Sequence, residues 1–106
     1  MAARTIDGKA VAAAVKERVK VDLAAYEEES GRTPGLATVL VGEHPASEVY
    51  VGMKVRACAE VGIKSIHQQP AASIRQAELE ALVEELNADD EVDGILVQTP
   101  LPDHLD

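Results

Sequence analysis

Two periods of hydrophobic and polar positions alternate along the chain. From Asp7 to about Glu29, Val11, Val15, Val19, Leu23 and Tyr26 recur at three- or four-residue spacing among good helix formers, which predicts a first helix. The turn-forming stretch "SGRTPG" at 30 to 35 ends it, and "LATVLVG" at 36 to 42 then runs apolar and β-branched, as a buried strand does. Pro45 and Ser47 in "HPAS" suit the opening of a second helix, where a proline loses no needed N–H and a serine oxygen can accept from an orphan amide. Gly62 suits its end. "IKSIHQQ" at 63 to 69 alternates and reads as a strand nearer the sheet edge. Ser73 and Gln76 in "SIRQ" read as a capping box for a third helix carrying Ala77, Leu79, Leu82, Val83 and Leu86 and stopping at Asn87. "DGILVQTP" at 93 to 100 reads as a third buried strand, which Pro100 and Pro102 terminate. Strands alternating with helices imply βαβ units and an α/β fold, a three-layer open parallel sheet with helices on both faces. No helix follows the third strand, so the pattern reads as cut short.

Composition narrows the picture without changing the fold class. The length of 106 residues suits one domain; hydrophobic residues make up 46% and charged residues 27%, so the chain can fold. There is no Trp or Phe, and the core must come from Val, Leu, Ile and Ala. A formal charge of −9 repels phosphate backbones and anionic lipid, arguing against nucleic acid and membrane as partners. The longest apolar run near the N-terminus, "AVAAAV" at 10 to 15, is too short for a signal segment or a membrane span. One cysteine fits a reducing compartment, and the chain reads as cytoplasmic.

Candidate chemistry lies where ligands collect in open parallel sheets, outside the carboxyl ends of the strands. On the second helix Val51, Val55, Cys58 and Ala59 form the expected buried centre, with Ser47, Tyr50 and Lys54 on an adjoining stripe between core and cleft. Helical side chains lean toward the N-terminus, so Lys54 points back to the rim. A lysine partly desolvated among valines is a usable acid/base near neutral pH. Gln98, where the third strand ends, offers a donor and an acceptor and could orient that amine. On spacing alone, Tyr and Lys at i, i+4 are more often packing and a snorkelling amine than a site, and a Gln at a strand end is more often simply solvated. Cys58 reads as a small core residue, His44, His67 and His104 lack metal-ligand spacing, and "NADDEVD" at 87 to 93 reads as a solvated loop.

The longer strings are more specific. "ASEVYVGMKVRACAEVGI" at 46 to 63 and "DGILVQTPLP" at 93 to 102, with "LVGEHPAS" and "IDGKAVA", resemble the bifunctional methylenetetrahydrofolate dehydrogenase/methenyltetrahydrofolate cyclohydrolase family from about residue 6 to the end. The resemblance implies that Tyr50 packs on the pterin ring, Lys54 handles the proton and Gln98 tunes it. It makes Ser47 a supporting residue and lets Val97, Thr99, Pro100 and Pro102 line the substrate pocket. It implies tetrahydrofolate derivatives as substrates, NADP or in some members NAD as cofactor, a homodimer, and a place in the one-carbon metabolism that serves purine biosynthesis. Gly52 stands where many relatives carry Arg, and Thr99 where many carry Leu, which affects pocket detail. The family continues into a Rossmann domain with a glycine-rich loop; no G-x-G-x-x-G occurs in this chain, so the resemblance implies an N-terminal part that is inactive alone. The competing expectation is a non-catalytic, flavodoxin-like α/β module that binds a partner.

Overall fold

The computed structural model describes residues 3–106. Six elements follow in order: α1 (Gly8–Ser30), β1 (Gly35–Val39), α2 (Pro45–Val61), β2 (Lys64–Gln68), α3 (Gln76–Ala88) and β3 (Gly94–Val97). The three strands form one parallel sheet in the order β2-β1-β3. That order explains the layers. The chain steps from β1 outward to β2, then back across β1 to β3, and right-handed crossovers in opposite directions put α2 and α3 on opposite faces.

Strand alternation then sorts the side chains. Ala37, Val39 and Val41 form the core with Leu79 and Leu86 of α3, and Ile66, Leu82, Ile95 and Val97 pack around them. Thr38 and Leu40 point to the α2 side, where Thr38 Oγ1 lies 2.9 Å from His67 Nδ1 and Leu40 shares a cavity wall with Val51 and Val55. Strand-like pairing outlasts β1: the Leu40 N–H donates to the Gln68 carbonyl and the Gly42 N–H to the Pro70 carbonyl, each at 2.9 Å, which matches the apolar run read to residue 42.

The opposite end of the sheet is fastened by charge. Arg32, just past α1, donates to Asp93 Oδ1 at 2.6 Å, while Asp93 Oδ2 accepts from the Gly35 N–H at 2.9 Å. One carboxylate thus ties the starts of β1 and β3, so the acidic run before β3 is more than a solvated loop.

Several boundaries differ from expectation. The N-cap of α3 is Arg75, whose N–H donates to Glu78 Oε1 at 3.2 Å; Ser73 and Gln76 do not form the box, because Ile74 is drawn onto the core and the helix cannot start until the chain has turned past it. The helix continues through Asn87 to Ala88. The N-cap of α2 is His44, not Ser47, and Gly62 closes the helix in the left-handed region at φ 97°. β3 is only half-buried because it is an edge strand, as is β2. The segment after β3 folds back over the start of α3, where His104 Nε2 lies 2.7 Å from the Ile74 carbonyl and the Asp106 N–H donates to Gln76 Oε1 at 2.9 Å.

Helix α1 is capped by Asp7, whose Oδ1 accepts from the N–H groups of Lys9 and Ala10. It packs on α2, with Lys16 Nζ 3.0 Å from Glu60 Oε2, and its apolar stripe is only partly used. Val19 and Leu23 are half-buried; Val11 and Val15 face solvent. No helix among the described residues is long and apolar enough to cross a membrane.

Candidate active site

Alternation along β3 decides which residues can meet α2. Val97 faces the α3 core, so the next residue, Gln98, faces the α2 side, and its N–H extends the ladder by donating to the Val39 carbonyl at 2.9 Å. Gln98 therefore sits at the carboxyl end of β3, anchored by main chain, with its side chain turned toward α2. Lys54 lies three turns into that helix, half-buried, and its Nζ donates to Gln98 Oε1 at 2.6 Å.

The amide of Gln98 can be oriented only one way. An ammonium group only donates and a carbonyl only accepts, so Oε1 must face Lys54 while Nε2 donates to the Thr99 carbonyl at 3.1 Å. That same carbonyl accepts from Ser47 Oγ at 3.3 Å. Ser47, 1% exposed, is the most buried residue of α2.

The helix is rotated relative to expectation. Its buried residues are Ser47, Val51, Cys58 and Val61, while Val55 is half-buried and Ala59 is exposed, contrary to the expected centre. The buried stripe is turned by roughly 60° toward Lys54 on a helical wheel. The anchored Ser47 hydroxyl accounts for the direction, and the rotation brings Lys54 inward to Gln98. Tyr50, one turn before Lys54, stays 56% exposed.

The predicted site residues thus divide. Ser47, Tyr50, Lys54 and Gln98 share the α2 side of the rim. Val97 and Thr99 instead line a cavity of about 550 Å³ on the α3 side with Leu79, Val83 and Leu101, and Thr99 reaches the α2 side only through its carbonyl. Pro100 is exposed and Pro102 half-buried, its carbonyl accepting from the Leu105 N–H as the chain turns toward α3. Alternation itself, counted from the apolar strand, carries the signal that separates Val97 and Thr99 from Gln98.

His44 is the residue that sequence reasoning missed. Its Nδ1 accepts from the Ser47 N–H at 3.2 Å and lies 3.1 Å from Ser47 Oγ. Weighing it only as a metal ligand overlooked its position directly before Pro45, where an N-cap belongs. Cys58 is buried and free. Among the described residues no group of three or more His, Cys, Asp or Glu could hold a metal ion, and no buried side-chain N or O atom lacks a partner.

A parallel α/β domain with a lysine and a glutamine hydrogen-bonded at the carboxyl rim of its sheet is an arrangement suited to enzymes that move protons. Residues 6–106 match the family described as "Tetrahydrofolate dehydrogenase/cyclohydrolase, catalytic domain", and the chain belongs to that family. The bifunctional protein FolD of Moorella thermoacetica is 55% identical over 107 residues, covering all of this chain and 38% of the relative. The crystal structure of the bifunctional enzyme FolD, methylenetetrahydrofolate dehydrogenase/cyclohydrolase, from Campylobacter jejuni superposes with a TM-score of 0.89 at 48% identity, covering 94% of this chain and 35% of that one. The Trypanosoma brucei methylenetetrahydrofolate dehydrogenase-cyclohydrolase, solved with NADP cofactor and inhibitor, gives 0.92 at 37% identity, covering 98% and 35%. The chain spans little more than a third of the length of these relatives.

Proposed function

We propose that this chain supplies the folate-binding cleft and the proton-handling lysine of a protein that oxidises 5,10-methylenetetrahydrofolate to the 5,10-methenyl form and hydrolyses that product to 10-formyltetrahydrofolate. The observation that carries the reading is the 2.6 Å bond from Lys54 Nζ to Gln98 Oε1 at the carboxyl rim, in a chain of this family.

The hydrolysis can be followed at this chain's own atoms. Water attacks the methenyl carbon, which carries the positive charge shared by its two flanking nitrogens. The neutral amine of Lys54 takes a proton from that water as the C–O bond forms. The ammonium then returns a proton to the ring nitrogen as its bond to the carbon breaks, leaving the formyl group on N10. As that bond breaks the attacking oxygen becomes the formyl carbonyl and its remaining hydroxyl proton passes to solvent, so overall one water is added and one proton released. Gln98 Oε1 accepts an N–H from either form of the amine, so Nζ keeps its place through the cycle while its remaining positions are left for the substrate. Tyr50 offers a ring face at the rim for the flat pterin.

NADP, which accepts the hydride in the oxidation, does not fit the residues of this chain. The loops after its strands contain no glycine-rich turn opening a helix, and the N-terminus of α2 is capped by the His44 side chain. The cofactor, NADP or NAD, is assigned to residues beyond this chain. In the same reading the full-length protein acts as a cytoplasmic homodimer in one-carbon metabolism feeding purine biosynthesis, expectations that follow the family resemblance.

Amine modification tests the reading against the partner-binding alternative. In a full-length protein carrying these residues, a folate analogue protects Lys54 from acylation, whereas a non-catalytic module gives equal labelling with and without it.

A further inference from the structure

The hydrogen-bond chain behind Lys54 continues past Gln98. We propose that His44 is a positioning residue for the Lys54–Gln98 pair: its Nδ1 seats Ser47, the Ser47 hydroxyl holds the Thr99 carbonyl, and that carbonyl fixes the side-chain amide of Gln98. The proposal rests on Lys54 being the proton-handling residue.

Proton inventory determines the direction of each bond. The Ser47 main-chain N–H donates to Nδ1 at 3.2 Å, so Nδ1 is unprotonated and the neutral ring carries its proton on Nε2. Ser47 Oγ has one proton, which Nδ1 and the Thr99 carbonyl, at 3.1 and 3.3 Å, compete for. Nδ1 is already served by the main chain. The hydroxyl proton is thereby left for the Thr99 carbonyl, which receives it alongside Gln98 Nε2.

Local structure makes the seat firm. Residues before proline are kept out of the helical region, and His44, before Pro45, lies at φ −120° and ψ 109°, the extended conformation an N-cap requires. Ser47 is sealed from solvent at 1% exposure, so water does not compete for its hydroxyl, while the His44 ring that seats it lies at the exposed start of the helix. Thr99, by contrast, is exposed and lies outside any strand. With Ser47 unseated, the Thr99 carbonyl loses its link to α2, the Gln98 amide is free to turn, and Lys54 loses its fixed acceptor.

The experiment measures kcat and KM for methenyltetrahydrofolate hydrolysis in a full-length protein carrying these residues, for example a chimera on the Campylobacter jejuni enzyme. Loss of one neutral hydrogen bond that acts on the reacting geometry lowers the rate roughly fivefold. His44→Ala is expected to lower kcat by that factor with KM nearly unchanged, and His44→Asn, which restores an acceptor at the N-cap, to return kcat to near wild type. The His44→Ala/Ser47→Ala double variant is expected to be no slower than Ser47→Ala alone. An unchanged kcat in His44→Ala, no rescue by asparagine, or multiplying losses in the double variant overturns the relay. Lys54→Met is the control: if it keeps full turnover, the underlying reading has failed, which is distinct from failure of the relay in an enzyme that needs Lys54. Ring nitrogen NMR of the wild-type protein gives an answer independent of variant folding, because a protonated Nδ1 on His44 overturns the proposal and an unprotonated one supports it.

Discussion

Gly35→Ala breaks the junction on which the placement of Gln98 depends. Gly35 opens β1 against the loop that leads into β3, and a Cβ there falls inside any permitted distance of the Glu91 carbonyl oxygen and 3.2 Å from its carbon. The obstacle is main chain, so no side-chain rotation relieves it. The loop must retreat by on the order of 1 Å to reach ordinary contact. Two bonds stretch as it does: the Asp93 N–H to the Gly35 carbonyl, 2.8 Å, and the Gly35 N–H to Asp93 Oδ2, 2.9 Å. Overpacking costs about 1–3 kcal/mol, and weakening a neutral and a charge-assisted bond adds to it, so the loss is set at about 3 kcal/mol. Urea unfolding followed by circular dichroism measures it as a lower midpoint at unchanged slope. A Gly35→Ala variant within about 0.5 kcal/mol of wild type would refute the close approach of the two segments.

Three further outcomes follow from single sites. The bond from Arg32, reinforced by the Gly35 N–H, holds the Asp93 carboxyl below the usual carboxylate range. A depressed folded value means the unfolded chain takes up the proton first, so this contribution is complete above about pH 4 and disappears as pH falls through the lower folded value. An acid titration of stability should therefore be flatter below about pH 4 in Asp93→Asn, and identical acid limbs would show that the clamp carries none of the dependence. Gly52 lies inside α2, where a Cβ meets only the flexible end of Arg56 at 3.8 Å, so Gly52→Ala should stabilise by about 0.5–1 kcal/mol in thermal unfolding; a loss would mean the space is filled. Asp7→Ala removes the cap of α1 and should cost about 1 kcal/mol, read as faster amide exchange at Lys9 and Ala10, and unchanged exchange there would show that the cap bonds do not form in solution.

Much of the fold was legible because its elements carry strong periods. The apolar run at 36 to 42 and the glycine at 62 located β1 with its extension and the end of α2. The rotation of α2 was not legible: its apolar residues lie all round, and Val49 and Met53 are exposed beside buried Val51, so periodicity left the buried face ambiguous until Ser47 found Thr99. The start of α3 lies beyond Ser73 although "SIRQ" carries a local capping pattern, because Ile74, partly buried, packs against the core. The pairing of residues 54 and 98 came from the resemblance and from strand-end reasoning. Strand alternation would also have put Val97 and Thr99 on the other face, as the structure does. The stripe on α1 shows a different boundary, since a pattern records that a face is apolar without saying how much of it is covered.

In the proposed function the amine of Lys54, held by Gln98, moves the protons of methenyltetrahydrofolate hydrolysis. The most direct measurement of this role is turnover of that substrate by Lys54→Met in a full-length protein carrying these residues, together with the dissociation constant of a folate analogue. A lysine that moves these protons requires a rate lower by at least about 100-fold with binding nearly unchanged, the range expected for a positioned acid/base. Hydrolysis at the wild-type rate would contradict it.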